Sequence, residues 1–279
     1  MSEPGKASSL RKLLLGSPTR KILLVEGPDD RDVYDKWLSQ LVPGGIYTDR
    51  VTLERMGGKS VVLSHLEWFQ QHNEPRVFGL VDRDEWDTAT CQARRAALPN
   101  LLLNSERHAL ESYFCDPDEV FPAIQQSNPD ADLATFREPI DSTLATYVCH
   151  WALLTTTDRL KNRMMEIGYP GQFNAQIPPP DDATIQTCFQ QWANTLDPLQ
   201  GFAEFNTLRS TALAEPMTIQ FRRCVWAKRF FEQVVIPQLN ALTPSHQRSA
   251  GDWMIHLAEF SPQVPADLAP LLTRVLGRP

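Results

Sequence analysis

The sequence predicts an α/β fold: a mostly parallel sheet with flanking helices, followed by a mainly helical region. Short, continuously apolar runs recur at 21–25, 77–81 and 101–103, a composition typical of strands covered on both faces of a parallel sheet. Stretches with helical periodicity separate these runs, in the order expected of right-handed βαβ units. From Asp118 onward helical periodicity dominates, which predicts the second region.

The elements of the first region follow one another in strict alternation. The first strand ends at Glu26-Gly27-Pro28, and Asp29 and Asp30 then open an amphipathic helix. The later elements repeat this pattern: a strand at 51–55, a helix at 61–69, a strand at 77–81, a helix at about 88–98 and a strand at 101–103. Four strands are therefore expected in one sheet.

The helical region is divided by prolines. Asp181-Asp182 is predicted to cap a helix that runs to about Leu196, after a loop at Pro178-Pro179-Pro180. A long helix is expected over about 218–241, where Pro237 must end or kink it. Two short helices are predicted near 253–260 and 268–276.

This organisation predicts three parts of the chain. Residues 1–19 are polar and read as a flexible N-terminal arm with one short helix at 10–15. Residues 20–118 form the sheet domain, and residues 119–279 form the helical domain. We find no internal repeat that would change this division.

Composition indicates a globular protein of the cytoplasm. Hydrophobic residues make up 42% of the chain and charged residues 22%. No apolar run approaches the ~20 residues that cross a bilayer, and the run at 13–15 is too short for a signal peptide, so neither membrane insertion nor export is expected. The five cysteines form no C-x-x-C pair, which argues against a cysteine zinc site and favours reduced, mostly buried thiols.

Acidic side chains follow two of the predicted strands. Glu26 ends the first strand, and Asp82 and Asp84 follow the third, in positions that can face one ion. Ligands of doubly wound sheets bind beyond the carboxyl ends of the strands, so these carboxylates would share a pocket if the two strands are neighbours. Asp30 would lie in the first helical turn nearby. Such hard oxygen ligands suit Mg²⁺ or Mn²⁺.

The ordered set Glu26-Gly27-Pro28-Asp29-Asp30, Gly57-Gly58-Lys59 and Asp82-Arg83-Asp84 resembles the Toprim domain of topoisomerases, bacterial primases and OLD-type nucleases. With Leu110-Glu111-Ser112-Tyr113 added, it is most similar to stand-alone Toprim proteins related to the OLD nucleases. Among these is the nuclease subunit of the PARIS anti-phage system, which works with an ABC-type ATPase. The resemblance covers about residues 20–118 and implies a Toprim-like sheet.

The resemblance implies a role for each matching residue. Glu26 would be a metal ligand or general base, Asp82 and Asp84 the paired metal ligands, and Asp30 and Glu111 further acidic ligands. A Gly-Lys pair in the helical region of the relatives has its nearest counterpart in Ala227-Lys228, where alanine replaces the glycine. Either Lys59 or Lys228 could stabilise the charge of a phosphoryl transition state.

Simpler interpretations stand beside these roles. Asp29 and Asp30 could be helix caps and nothing more, and Glu111 could be an exposed helix residue. Gly58-Lys59-Ser60 imitates the end of a P-loop, but Leu53 stands where its first glycine is required, so that motif is excluded. The basic residues Arg222, Arg223, Lys228 and Arg229 could touch phosphates or simply form a solvated face.

The sequence thus predicts a Mg²⁺- or Mn²⁺-dependent endonuclease, which the resemblance suggests is a defence effector against phage. A nucleic-acid substrate is expected, an ABC-type ATPase partner is implied by the resemblance, and a homodimer stays open. The net charge of −7 disfavours a long nucleic-acid tract but allows one small site, since bound metal reverses the local charge. Two rivals remain: a non-enzymatic regulatory partner of an ATPase that binds metal or nucleotide, and a phosphoryl-transfer enzyme such as a primer synthase.

Overall fold

The computed structural model describes residues 5–42, 44, 46–84, 86–104, 106–168, 181–243 and 247–277. Within them, four strands form one sheet, and all neighbouring strands run parallel. The strands are β1 (Lys21–Val25), β2 (Val51–Arg55), β3 (Val77–Val81) and β4 (Leu101–Leu103). The four predicted strands and their parallel arrangement are therefore confirmed.

The strand order is β2-β1-β3-β4. The chain steps from β1 to one side for β2 and then crosses to the other side for β3, so that β1 and β3 are direct neighbours. Their register pairs Ile22 with Val77 and Leu24 with Gly79. In open α/β sheets such a reversal of direction leaves a crevice beyond the carboxyl ends of the two strands. Glu26 and Asp82 follow these two ends.

Helices flank the sheet and continue through the rest of the chain. The helices between strands are α2 (Pro28–Leu41), α3 (Lys59–Gln71) and α4 (Thr88–Ala97), and α1 (Ala7–Leu15) precedes β1. A 3₁₀ helix (Leu110–Phe114) follows β4. The remaining helices are α5 (Pro117–Ser127), α6 (Leu133–Glu166), α7 (Asp182–Thr195), α8 (Pro198–Ala214), α9 (Met217–Arg223), α10 (Ala227–Phe230), α11 (Ile236–Leu242), α12 (Ala250–Phe260) and α13 (Ala269–Leu276).

The chain forms two compact units. The first contains residues 1–142, 221–223 and 227–279, and therefore holds the sheet together with the last four helices. The second contains residues 143–220 and 224–226. The predicted boundary at residue 118 does not coincide with this division, because α12 packs against α2 and α5. Long-range packing of this kind leaves no trace in local periodicity.

The segment predicted as a flexible arm contains a packed helix. In α1, Ala7, Leu10 and Leu14 are buried and belong to the core cluster on the sheet. The short helix predicted at 10–15 is confirmed, and it begins earlier, at Ala7. The arm prediction is wrong for these residues, since three apolar side chains at helical spacing anchor them.

The prediction of one long helix over 218–241 is wrong in one respect, because the helix is interrupted. Residues 224–226 separate α9 from α10, and a π-helical segment (Phe231–Val235) lies between α10 and α11. Pro237 sits in the first turn of α11, directly after the π-helical segment. The predicted helix after Asp181 is confirmed, with the Asp181 carboxylate accepting from Thr184 N at 2.8 Å. The proline loop at 178–180 lies outside the described residues.

Gly79, in the middle of β3, allows α3 to pack closely on the sheet. A Cβ at this position would lie 2.5 Å from Leu66 Cδ1 and 2.7 Å from Val62 Cγ1, both on α3. The first turn of α3, with Lys59, is held near the end of β3 by this contact. None of the helices that the structure describes has the length and apolarity needed to cross a membrane.

Candidate functional site

The carboxylate of Glu26 reaches the end of the neighbouring strand. Its Oε1 accepts a hydrogen bond from the backbone N–H of Asp82 at 2.9 Å. This contact follows from the strand order, because β1 and β3 are adjacent and their carboxyl ends lie at the same edge. The two acidic segments, 56 residues apart in the chain, therefore meet at one place.

The turn between β2 and α3 wraps around the main chain of Glu26. Gly57 N and Gly58 N donate to Glu26 O at 2.8 and 3.1 Å. Both glycines have positive φ, 90° and 133°, which residues other than glycine rarely adopt. The Gly57-Gly58 pair thus fixes the main chain of Glu26 and places Lys59, the first residue of α3, at the same edge of the sheet.

Asp30 closes the turn after Glu26. Its Oδ2 accepts from Gly27 N at 2.9 Å, so the capping interpretation is correct for this oxygen. The charge of Asp30 nevertheless acts on the other carboxylates: burial is the main cause that raises the pKa of Glu26, Asp82 and Glu111, and the charge of Asp30 raises all three further. Asp30 therefore serves as a cap and also belongs to the acidic cluster.

Asp84 is held by its main chain and its side chain. It has φ +48°, in the left-handed region, and its N–H donates to His108 O at 2.8 Å. A carboxylate oxygen of Asp84 accepts from Lys59 Nζ. The same ammonium lies 4.5 Å from the ring centroid of Trp86. Lys59 is thus positioned by a charge and an aromatic face at once.

Five carboxylates interact at this edge of the sheet. Burial raises the pKa of Asp82 well above its ordinary value, and the charges of Asp30, Asp84, Glu26 and Glu111 raise it further. Burial also raises the pKa of Glu26, against the opposing effects of the Asp82 hydrogen bond and of Lys59. The cluster therefore has an excess of negative charge, which a cation would relieve.

Glu111 and Lys228 reach the cluster from later parts of the chain. Glu111 lies on the 3₁₀ helix, and burial raises its pKa while the charge of Lys228 lowers it. Lys228 lies in the first turn of α10, and Ala227 O beside it contacts Cys115 Sγ at 3.7 Å. The structure thus brings Glu111 into the cluster and places Lys228, which is exposed, within electrostatic range of it.

The chemistry of this donor set fits Mg²⁺ or Mn²⁺, which prefer carboxylate oxygens. Burial, and after it the charges of the neighbouring carboxylates, raise the pKa of Asp82 and of Glu111, and a bound cation would favour the ionised forms against both effects. Across the described ranges, no three side chains of His, Cys, Asp or Glu are spaced as a ready-made coordination shell. Oxygens of Glu26, Asp30 and Asp84 are instead engaged with N–H groups. Binding would therefore require these side chains to turn toward the ion.

Arg107 was not anticipated from the sequence. Its side chain is 4% exposed and bonds both oxygens of Glu119, at 2.7 and 2.9 Å, and Oδ2 of Asp267 at 2.9 Å. Arg222 donates to the same Glu119 at 2.6 Å. The partners lie up to 160 residues apart, so no motif could have indicated this network.

The predicted basic face is only partly solvated. Arg222 pairs with Glu119, and Arg223 pairs with Glu106. Lys228 and Arg229 are the two exposed residues of this face. The aromatic residues Phe230 and Phe231 on the same stretch are fully buried and belong to the core.

No family model matches the chain, and no curated protein matches it at a significant level.

Proposed function

We propose that this protein is a Mg²⁺- or Mn²⁺-dependent nuclease whose first unit is a Toprim-like domain. The observation that carries the proposal is the meeting of Glu26 and Asp82 at adjacent strand ends, with Asp30, Asp84 and Glu111 in electrostatic range. This is the arrangement that the resemblance to the Toprim and OLD-type proteins implies. We extend the proposal to a cytoplasmic defence effector that acts with an ABC-type ATPase, with a homodimer left open.

Each side chain has a chemical task in this proposal. The metal, when bound, would lower the pKa of a coordinated water and neutralise charge on phosphoryl oxygens. Asp82, Asp84, Asp30 and Glu111 would hold it, and Glu26 would serve as ligand or as the base that accepts a proton. Lys59, directed by Asp84 and Trp86, would face the anionic phosphate, as would Lys228 on α10.

The contact between Lys59 and Asp84 favours one alternative, a regulatory partner of an ATPase. If this chain is such a regulatory partner, Lys59 would serve as an internal counterion for the carboxylates. The two functions differ in what they require of added metal. A nuclease needs it for turnover, whereas a regulatory partner stays inert toward nucleic acid even in the presence of the ATPase.

The test is cleavage by the purified full chain. DNA and RNA, single- and double-stranded, are incubated with the protein in Mg²⁺, Mn²⁺ or EDTA, with and without the ATPase. We expect metal-dependent cleavage that falls to background in Asp82→Asn. The matched control is Asp49→Asn, an exposed aspartate outside the cluster. Equal cleavage by wild type and Asp82→Asn would remove the proposed mechanism.

A further inference from the structure

One connecting segment supports two members of the acidic cluster. Residues 106–112 lead from β4 into the 3₁₀ helix, and Glu111 lies on that helix. In the same segment, His108 O accepts from Asp84 N at 2.8 Å. Because Asp84 has a left-handed backbone, which residues with a side chain adopt less readily than glycine, the surrounding structure must hold it there. The placement of this segment therefore decides the placement of both carboxylates.

Arg107, the second residue of the segment, ties it to its own last residue and to two other elements. Its guanidinium donates to Ser112 O at 2.9 Å, next to Glu111, and Ser112 Oγ accepts from Ala109 N at 3.1 Å. The remaining bonds of Arg107 go to Glu119 on α5 and to Asp267, which precedes α13. These two carboxylates tie the segment to helices whose positions are set by the core.

Arg222 adds a second attachment. Its carbonyl accepts from His108 N at 2.9 Å, and its side chain donates to Glu119 at 2.6 and 3.1 Å. The main chain of His108 is thus held through its N–H, which donates to Arg222 O, and through its carbonyl, which accepts from Asp84 N. Glu119 joins the two arginines and makes their positions interdependent.

A buried ion pair of this kind is a costly way to stabilise a fold, because removal of the charges from water offsets most of their attraction. Its geometry is more specific than apolar packing, since a planar guanidinium fixes the direction of each bond. We propose that Arg107, with Glu119, is a positioning residue that sets Asp84 and Glu111 for metal binding. This inference rests on the proposed function and adds to it the residue that organises the site.

The experiment measures Mn²⁺ affinity of the full-length protein, by electron paramagnetic resonance of the unbound ion, in Arg107→Lys. Lysine keeps the charge but loses the forked geometry. The matched control is Arg76→Lys. Arg76 also binds a glutamate and three carbonyls, but it lies at the opposite, amino-terminal end of β3. Both variants should lose stability. A loss of Mn²⁺ affinity in Arg107→Lys alone would therefore reflect positioning of the site and not a general loss of stability.

We expect Mn²⁺ to bind about tenfold or more weakly to Arg107→Lys, as on loss of groups that orient metal ligands, and normally to Arg76→Lys. Glu119→Gln, which keeps the side-chain shape, should shift the affinity in the same direction and guards against a variant that fails to fold. A Mn²⁺ affinity equal to that of the wild type in folded Arg107→Lys or Glu119→Gln would overturn this inference and leave the proposed function untouched. Absence of Mn²⁺ binding in the wild type would overturn both the inference and the proposed function.

Discussion

Glu26 Oε1 accepts the backbone N–H of Asp82 at 2.9 Å, across the boundary between the two central strands. This bond satisfies a partly buried donor and at the same time keeps the carboxylate at the carboxyl end of β3. Two roles of Glu26, one structural and one chemical, can therefore be separated by choice of substitution.

Glu26→Gln should keep the fold and lose metal binding, because the amide oxygen can still accept from Asp82 N but carries no charge. Glu26→Ala should lose metal binding and also lower the free energy of unfolding by about 1–3 kcal/mol, because the backbone N–H of Asp82 is left unpaired. Urea denaturation in EDTA measures the first quantity and Mn²⁺ titration the second. Equal stability of the two variants would contradict the structural role of the hydrogen bond.

Gly58→Ala should destabilise the protein by about 1–3 kcal/mol, since φ of 133° is strained for any residue with a Cβ. It should also weaken metal binding, because the turn holds Glu26 O and the start of α3. The control is Gly201→Ala within α8, where no atom lies near the added Cβ. That change should stabilise by roughly 0.5–1 kcal/mol. Thermal unfolding that ranks the two variants in the opposite order would refute the assigned backbone conformations.

Asp82→Asn should raise the thermal stability of the protein in EDTA at pH 8. The folded-state pKa of Asp82 is raised by burial and by its four acidic neighbours, so its ionised form costs stability once the pH rises through that pKa. The gain should shrink as the pH falls toward about 4, the pKa in the unfolded chain, where both states hold the proton. A shift of about 2–4 °C corresponds to each 1 kcal/mol in a chain of this size.

Added Mn²⁺ should reverse this ranking, because only the wild type offers the full set of charges. Stabilisation by a ligand at 100 times its Kd is about 2.7 kcal/mol. Asp49→Asn should behave like the wild type at every pH and metal concentration. A stability of Asp82→Asn that is lower than that of the wild type in EDTA at pH 8 would contradict a raised pKa of Asp82 in the folded protein.

Lys59→Met should separate metal affinity from catalysis. Lys59 contributes a charge to Asp84, so its removal leaves the cluster more negative, and Mn²⁺ should bind a few-fold more tightly. Cleavage should fall, on the order of 100-fold in kcat, because the cation facing the phosphate is lost. Lys36→Met, which removes a surface pair with Glu259, is the control for loss of a lysine. Tighter Mn²⁺ binding with unchanged kcat would exclude Lys59 from the chemistry.

The sequence by itself determined the local structure and the chemical character of the site. Apolar runs of three to five residues predicted β1, β3 and β4, the alternating pattern of elements predicted β2, and helical periodicity predicted most helices. These features are local, because backbone preference and the face to be buried are encoded within a few residues. For the same reason, the glycine pair at 57–58 was recognisable as a turn, and the acids at 26, 82 and 84 were recognisable as acidic residues that follow strand ends. The break in the helix predicted over 218–241 was not, since the interruption at residues 224–226 contains neither proline nor glycine.

Only the tertiary structure decided which of these residues meet. The strand order made β1 and β3 neighbours and so joined Glu26 to Asp82, while a different order with identical strands would have kept them apart. The attachment of residues 106–112 through Arg107 depends on partners as far along the chain as Asp267. Strand neighbours and ion pairs of this kind are selected by packing of the whole core, which no local pattern of residues records.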